Sequence, residues 1–168
     1  GLTEQVSRTV YIVTTTRDEE REIHGVTYRP VTVTEQKFFG YQSTAVGSNQ
    51  VNISSIEKTL VDCADHPEFC GGIGELAKAM QNAVDTQCSW DRVVEYLRLV
   101  GNGAATKRIV YLADQLDISL PEYESLVENF TTGYPLLDPT REAKGTRDSK
   151  YQLRLNVDSE SFLPDDFS

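Results

Sequence analysis

Apolar and polar positions divide the chain into a β-rich first third and a helical middle. Residues 8–53 contain runs of strict alternation, as in 9–14 and 26–33, which are rich in Val, Thr and Tyr. Alternation of this kind is typical of half-buried strands. Proline cannot donate to a ladder, so Pro30 predicts a strand at a sheet edge or with a bulge. We therefore predict a β-rich segment over residues 1–53.

From residue 54 the apolar period becomes helical and stays so through residue 130. Ser54 and Glu57 form a Ser-x-x-Glu capping box that predicts a helix start, while Ser89 predicts another cap. Ser119 with Pro121 in the first turn predicts the start of a further helix. The five predicted stripes are Ile56, Leu60, Val61, Ala64; Ile73, Leu76, Ala77, Met80, Val84; Trp90, Val93, Val94, Leu97; Ile109, Leu112, Ala113, Leu116; and Tyr123, Leu126, Val127, Phe130.

The last part of the chain reads as a loop, a strand and a tail. Residues 131–150 are polar and interrupted by glycine and proline, which predicts a long surface loop and a candidate mobile element. Residues 151–158 alternate and predict a strand that returns to the N-terminal sheet, and residues 159–168 predict a frayed tail. The predicted fold is a single α+β domain over 1–168, with a mostly antiparallel N-terminal sheet completed by the C-terminal strand and packed against about five amphipathic helices.

Composition narrows the function classes. The chain has 168 residues, 39% of them hydrophobic, which suffices for a core. No apolar run approaches the roughly 18 residues of a membrane span, and the start lacks a signal-peptide pattern, so we expect a cytoplasmic protein without membrane contact. The formal charge of −10 repels polyanions, so this chain should not bind DNA tightly on its own. Either a solvated acidic surface or an organism with high internal salt explains this acidity.

Metal and thiol chemistry find little support. Three cysteines leave one unpaired in any disulfide scheme, which favours free thiols in a reducing compartment. Cys63, His66 and Cys70 are close in sequence but contain no Cys-x-x-Cys pair, so buried thiols are favoured over a zinc site. Asp62, Asp65 and Glu68 are interpreted as helix surface charges rather than a divalent metal site. We predict neither a metal nor another cofactor.

Catalytic patterns are equally weak, and we predict that the chain is not an enzyme. His24 and His66 are the only candidate near-neutral bases, and neither lies in a pattern with a nucleophile and an orienting acid. Residues 71–74 are glycine-rich and could in principle cradle a phosphate at a helix start. The Lys-Ser/Thr pair of a P-loop is missing and Glu75 would repel an anion, so a turn with a helix entry is favoured.

Two further features suggest partner contact without deciding it. The densest basic group of the chain comprises Arg92, Arg98, Lys107 and Arg108. It is interpreted either as pairing with acidic neighbours on a solvated face or as a contact surface for an acidic partner or for DNA flanking an operator. Trp90 is favoured as a core residue, with partner contact as the alternative.

One passage carries a family resemblance. Residues 51–72 read VNISSIEKTLVDCADHPEFCGG, and this passage resembles the core motif of the AbiEi family, which contains antitoxins of type IV toxin–antitoxin pairs and related transcriptional regulators. Residues 1–6, 10–13, 137–139 and 153–157 resemble further stretches of the family. The motif positions, which we expect to be mainly structural, are Ser55, Glu57, Lys58, Thr59, Leu60, Asp62, Pro67, Glu68, Gly71 and Gly72.

The resemblance implies a C-terminal regulatory domain of an antitoxin-like repressor. Such a domain supports self-association and antagonises a nucleotidyltransferase-type toxin, which it need not touch. The winged helix-turn-helix of the family would lie upstream of Gly1, so we expect DNA to be bound only through that missing segment. The alternative hypothesis is a small-ligand sensor or an enzyme of unknown activity, with a pocket between the sheet and the helices.

Overall fold

The computed structural model describes residue 2 and residues 8–161. Short 3-10 turns occur at Glu35–Lys37 and Ser159–Ser161. The predicted α+β class is confirmed, while residues 1 and 3–7 and most of the predicted tail lie outside the described residues. The strands are β1 (Thr9–Thr14), β2 (Arg21–Ile23), β3 (Val26–Thr32), β4 (Tyr41–Val46), β5 (Asn49–Ser54), β6 (Thr146–Asp148) and β7 (Leu153–Leu155); the helices are α1 (Ile56–Asp65), α2 (Pro67–Cys70), α3 (Ile73–Val84), α4 (Trp90–Val100), α5 (Gly103–Gln115) and α6 (Tyr123–Glu128).

The helices form the core, and most of the predicted stripes face it. The side chains of α1, α3, α4 and α5 that the spacing selected are almost all buried, while Trp90 and Val127 pack at the margin of the core. Val84 is wrong as a core residue: it is 53% exposed, and Ala83 is buried in its place. Val84 is the last residue of α3, where the helix leaves the core.

Two predicted helix starts are displaced. Ser55 rather than Ser54 caps α1, accepting a hydrogen bond from the Lys58 backbone N–H at 3.2 Å. Ser54 pairs with Tyr41 in the β4–β5 ladder, which keeps it in the strand. The start of α6 lies beyond Ser119 and Pro121, because Glu122 adopts a left-handed conformation as the N-cap.

The N-terminal strands form two separate sheets. The first has the order β1-β3-β2, with β1 parallel and β2 antiparallel to β3. Its β2 strand pairs only with Val26–Tyr28, so β3 has a neighbour on one side at Pro30, in keeping with the predicted edge position. The second sheet is the antiparallel β4–β5 hairpin.

The C-terminal strand does not complete the N-terminal sheet. Instead, β7 pairs antiparallel with β6, a strand inside the predicted loop 131–150. Leu153 is fully buried among the helices, and the segment around Leu137 packs beside β7 through a 2.9 Å bond from the Leu137 N–H to the Arg154 carbonyl. Burial of these apolar side chains against the helices explains why the strand stays with them.

The N-terminal strands therefore lie outside the core. We call residues 8–54 the β layer and residues 55–161 the helical body. No described side chain of the β layer is buried, in contrast to the predicted sheet packed against helices. Ring contacts connect the two parts, Tyr11 on Phe69 and Phe39 on Tyr96, with centroids 4.8 and 5.0 Å apart. Among the described residues, no helix combines the length and apolar content that crossing a membrane requires.

Candidate functional site

The first polar motif residues join α1 to α4 and to the β layer. Glu57 is buried and accepts a 3.0 Å hydrogen bond from the Ser89 backbone N–H at the start of α4. Burial raises the pKa of Glu57, but the hydrogen bonds from Ser89 and Ser55, together with Arg92, outweigh it and hold the pKa below its ordinary value. Thr59 completes the junction, since its hydroxyl lies 2.8 Å from the Ser54 hydroxyl at the end of β5 and also donates to the Ser55 carbonyl at 2.9 Å.

Lys58 fills the space under the chain that leads from the β layer into α1. Its buried ammonium pairs with Asp62 one turn later and lies 5.0 Å from the centroid of the Phe39 ring. Gly40 is required there, because an added Cβ would lie 2.8 Å from the Lys58 Cβ and the backbone φ is +73°. Burial raises the pKa of Asp62 despite this pairing with Lys58.

The glycine-rich helix entry is closed by a carboxylate of the chain itself. Oδ2 of Asp138 accepts a hydrogen bond from the Ile73 N–H at 3.2 Å, and Oδ1 accepts two from the Thr140 N–H and hydroxyl at 2.9 and 2.6 Å. Gly72 has φ +94°, and a Cβ on it would lie 2.8 Å from Asp138 Oδ2. The carboxylate thus occupies the position that a phosphate would need, as the turn-and-entry interpretation requires.

The predicted basic surface is wrong for two of its four members. Lys107 is fully buried, and its ammonium donates to the carbonyls of Thr131 and Gly133 at 2.6 and 2.8 Å. Burial lowers the pKa of Lys107. Arg108 is 5% exposed and donates to the carbonyls of Leu136, Leu137 and Ala64.

The physical reason lies in the segment after α6. Within the described part of the chain, residues 131–137 form only a single bridge, between Leu136 and Arg154, so other carbonyls of the segment need donors. Lys107 and Arg108 on α5 supply them to Thr131, Gly133, Leu136 and Leu137. Arg92 and Arg98 do lie at the surface: Arg98 forms a bidentate pair with Glu122 at 3.0 and 2.6 Å, and Arg92 lies 3.9 Å from Glu57. No cluster of uncompensated positive charge therefore forms at these four positions.

The acidic and histidine side chains at and after the end of α1 are paired with other side chains of the protein. His66 Nδ1 lies 3.0 Å from Glu68, and its ring stacks on Phe69 at 5.1 Å. Asp65 accepts from Asn102, the N-cap of α5, and lies 3.4 Å from the Lys37 ammonium. His24 lies in the turn between β2 and β3. Over residues 8–161, no group of three or more His, Cys, Asp or Glu side chains has an arrangement that could hold a metal ion.

All three cysteines are free thiols, as predicted. Across the break between α1 and α2, the Cys70 thiol donates to the backbone carbonyls of Cys63 and Pro67 at 3.9 and 3.5 Å. The proximity of the two thiols raises the pKa of Cys63 and lowers that of Cys70. Burial raises the pKa of Cys88 to about 11. Pro67 begins α2 and Gly71 ends it in a left-handed conformation, so the last motif positions shape this break.

A cavity of about 240 Å³ lies between α4, α6 and the start of α5, rather than between the sheet and the helices. Leu97, Leu126 and Phe130 provide its apolar wall, and Arg98 and Asn129 lie among its polar residues. Arg98 is already paired with Glu122, so the cavity offers little free charge to a ligand.

The feature that the sequence reasoning missed is the exposure of the β4–β5 hairpin on both of its faces. Every residue of the hairpin whose side chain is described is exposed, including Tyr41 at 48%, Val51 at 42% and Ile53 at 46%. The sequence signal that could have revealed it is a lack of charge: no charged residue occurs from Phe38 to Ile56, although 25% of the chain is charged. An exposed strand pair without charges is uncommon on natural protein surfaces, which makes this hairpin a candidate interaction surface.

Comparisons of the chain with known protein families, with curated proteins and with solved structures find no match. The resemblance to the antitoxin family therefore stands on the motif residues alone and remains a prediction.

Proposed function

We propose that this chain is a non-catalytic interaction and regulatory domain of an antitoxin-like transcriptional repressor that acts in the cytoplasm. The observation that carries the proposal is the contrast between the helical body and the β layer. In the helical body, Glu57, Lys58 and Asp138 use their charges in contacts that hold the fold together. The β layer, in contrast, exposes apolar side chains for contact with a partner.

In this role the domain supports self-association and antagonises a nucleotidyltransferase-type toxin without a requirement for direct contact. In the family that the chain resembles, a winged helix-turn-helix binds DNA, so we assign DNA binding to such a segment rather than to these residues. The charge of −10 supports this assignment, because an acidic domain contributes repulsion rather than attraction to a DNA backbone.

A reporter assay tests the interaction role. The chain is fused to a monomeric DNA-binding domain that represses its operator only when dimerised, and reporter output is compared with that of the unfused domain. We expect the fusion to repress the reporter. Output equal to that of the unfused domain would overturn the interaction role.

A gel shift tests the assignment of DNA binding to another segment. The isolated chain is titrated into promoter DNA at low and at physiological salt, and we expect no shifted band. Tight binding that weakens with salt would place a DNA-binding surface in this chain and contradict the proposal, because release of counterions from phosphates is the signature of such a surface.

The cavity between α4 and α6 supports a second candidate function, a small-ligand sensor. A ligand that binds the folded state raises its melting temperature, so a thermal-shift screen of nucleotides, metabolites and metals tests it directly. Stabilisation that is lost when Phe130 is replaced by Ala, a residue of the cavity wall, would support this candidate. A screen without stabilisation would remove it.

A further inference from the structure

The β4–β5 hairpin is amphipathic, and its apolar face is uncovered. Residues that pair directly across an antiparallel ladder point to the same face, so the pairs Thr44–Val51 and Gln42–Ile53 share one face. The pair Ser43–Asn52 lies on the other face, where the Ser43 hydroxyl also donates to Gln50 at 2.8 Å. The first face thus carries the β-branched residues Thr44, Val51 and Ile53 beside Gln42 and Asn49, and the opposite face is polar apart from Tyr41 and Ala45.

An isolated two-stranded hairpin is marginally stable in water unless one of its faces is packed. The described residues leave both faces of this hairpin exposed, and its direct connections to the helical body are at its base, where the Ser55 N–H donates to the Gly40 carbonyl at 2.7 Å. A hairpin of this composition is therefore stabilised by whatever covers its apolar face.

The distribution of charge along the chain indicates which partner packs on this apolar face. The hairpin and its flanks from Phe38 to Ile56 contain no charged side chain, although the whole chain carries −10. Two copies of so acidic a chain repel each other, and the contact that costs least is the one that brings no like charges together. A strongly charged partner would find no complementary group on this surface.

We infer that the apolar face of the β4–β5 hairpin, centred on Thr44, Val51 and Ile53, packs against the same face of a second copy of the chain. The contact is isologous, with each copy contributing the same patch across a two-fold axis. This inference rests on the proposed function, because it names the surface that provides the proposed self-association.

The size of the patch sets the strength of the dimer. A six-residue strand is about 20 Å long and its neighbour lies about 4.8 Å away. The patch is thus far smaller than the about 800 Å² per partner of a standard stable interface, so we expect a weak dimer that forms as protein concentration rises. Because the contact is uncharged, its dissociation constant should not rise with salt concentration. The dissociation constant of a contact held by opposite charges would rise, since salt screens their attraction.

Analytical ultracentrifugation of the whole chain from micromolar to millimolar concentration tests the inference. Val51→Lys and Ile53→Lys place a charge in the proposed contact, and each should raise the dissociation constant by about tenfold or more. Two matched controls replace apolar residues of similar exposure elsewhere: Ile12→Lys in the first sheet, where Ile12 is 45% exposed, and Val84→Lys on α3, where Val84 is 53% exposed. Asn52→Lys probes the polar face of the hairpin itself. Circular dichroism establishes that each variant is folded.

The expected result is a wild-type dimer that the two hairpin variants weaken and the three controls leave unchanged. A wild type that is monomeric throughout would overturn the proposed self-association, and with it this inference. A wild-type dimer that Val51→Lys and Ile53→Lys leave intact, or that Ile12→Lys or Asn52→Lys weakens equally, would overturn the inference alone.

Discussion

Asp138 offers the sharpest test of how the motif region is held together. It lies 65 residues after Ile73, yet its carboxylate caps the start of α3 and fastens Thr140 at the same time. The N-cap residue of α3 is Gly72, which has no side chain to do this. Replacement of Asp138 by Ala removes the cap and leaves the Thr140 N–H and hydroxyl without their acceptor.

The magnitude follows from these three hydrogen bonds. Loss of a helix N-cap costs about 1 kcal/mol. Asp138 is only 4% exposed, so each hydrogen bond that its carboxylate accepts from Thr140 contributes about 1 kcal/mol or more to stability. Asp138→Ala should therefore lower the free energy of unfolding by about 3 kcal/mol, which for a chain of this size lowers the melting temperature by roughly 6–12 °C.

Urea denaturation followed by circular dichroism measures this change. Asp138→Asn, which keeps an acceptor for Thr140 but presents an amide to the Ile73 N–H, should lose about half as much stability. Asp18→Ala is the control, since its ion pair with Arg21 is exposed and contributes little. If Asp138→Ala unfolds within about 1 kcal/mol of the wild type, the shared-cap reasoning is refuted.

Three further predictions address burial, backbone geometry and ionisation. Arg108→Met leaves the carbonyls of Ala64, Leu136 and Leu137 without this donor and should lower the free energy of unfolding by about 3 kcal/mol, measured by the same urea titration. An unchanged free energy would contradict the role of Arg108 as their donor. In Gly145→Ala the new Cβ would lie 1.9 Å from the Leu155 carbonyl oxygen, whereas in Gly25→Ala nothing lies within 4 Å. Gly25→Ala should thus cost about 1 kcal/mol of backbone strain and Gly145→Ala clearly more, and equal melting temperatures would speak against the clash. Burial and the hydrogen bond to the Asp114 carboxylate raise the pKa of Tyr123 to about 12, so the stability this tyrosine contributes is present below its unfolded value of about 10 and is lost as pH rises between them. Tyr123→Phe should flatten the fall in urea midpoint over that range, and an unchanged slope would refute the assignment.

The spacing of apolar residues was sufficient to predict burial where one helix buries one of its faces. The helix stripes around Leu60, Met80 and Leu97 are buried because spacing of three and four residues places them on one side of a helix, wherever that helix packs. Ser89 was found as a cap because capping depends on residues within one turn. Ser54 was wrongly predicted as a cap, because its pairing with Tyr41 across the hairpin holds it in the strand and leaves the cap to Ser55.

Long-range partners decided what local pattern could not. Lys107 and Arg108 read as surface charges in sequence, and become buried only because carbonyls some 24 to 29 residues later need donors. Asp138 closes the α3 entry from 65 residues away. Burial of an ionisable side chain depends on whether a distant partner compensates its desolvation, which spacing along the chain does not encode.

The α+β class, the helices and the absence of charge from Phe38 to Ile56 can be recognised in the sequence, because composition and apolar period are local properties. The pairing of β7 with β6 and the position of the β4–β5 hairpin outside the core depend on tertiary contacts instead. Strand pairing and face burial are set by competition among distant apolar surfaces, and the helices bury enough of one another to leave the hairpin uncovered.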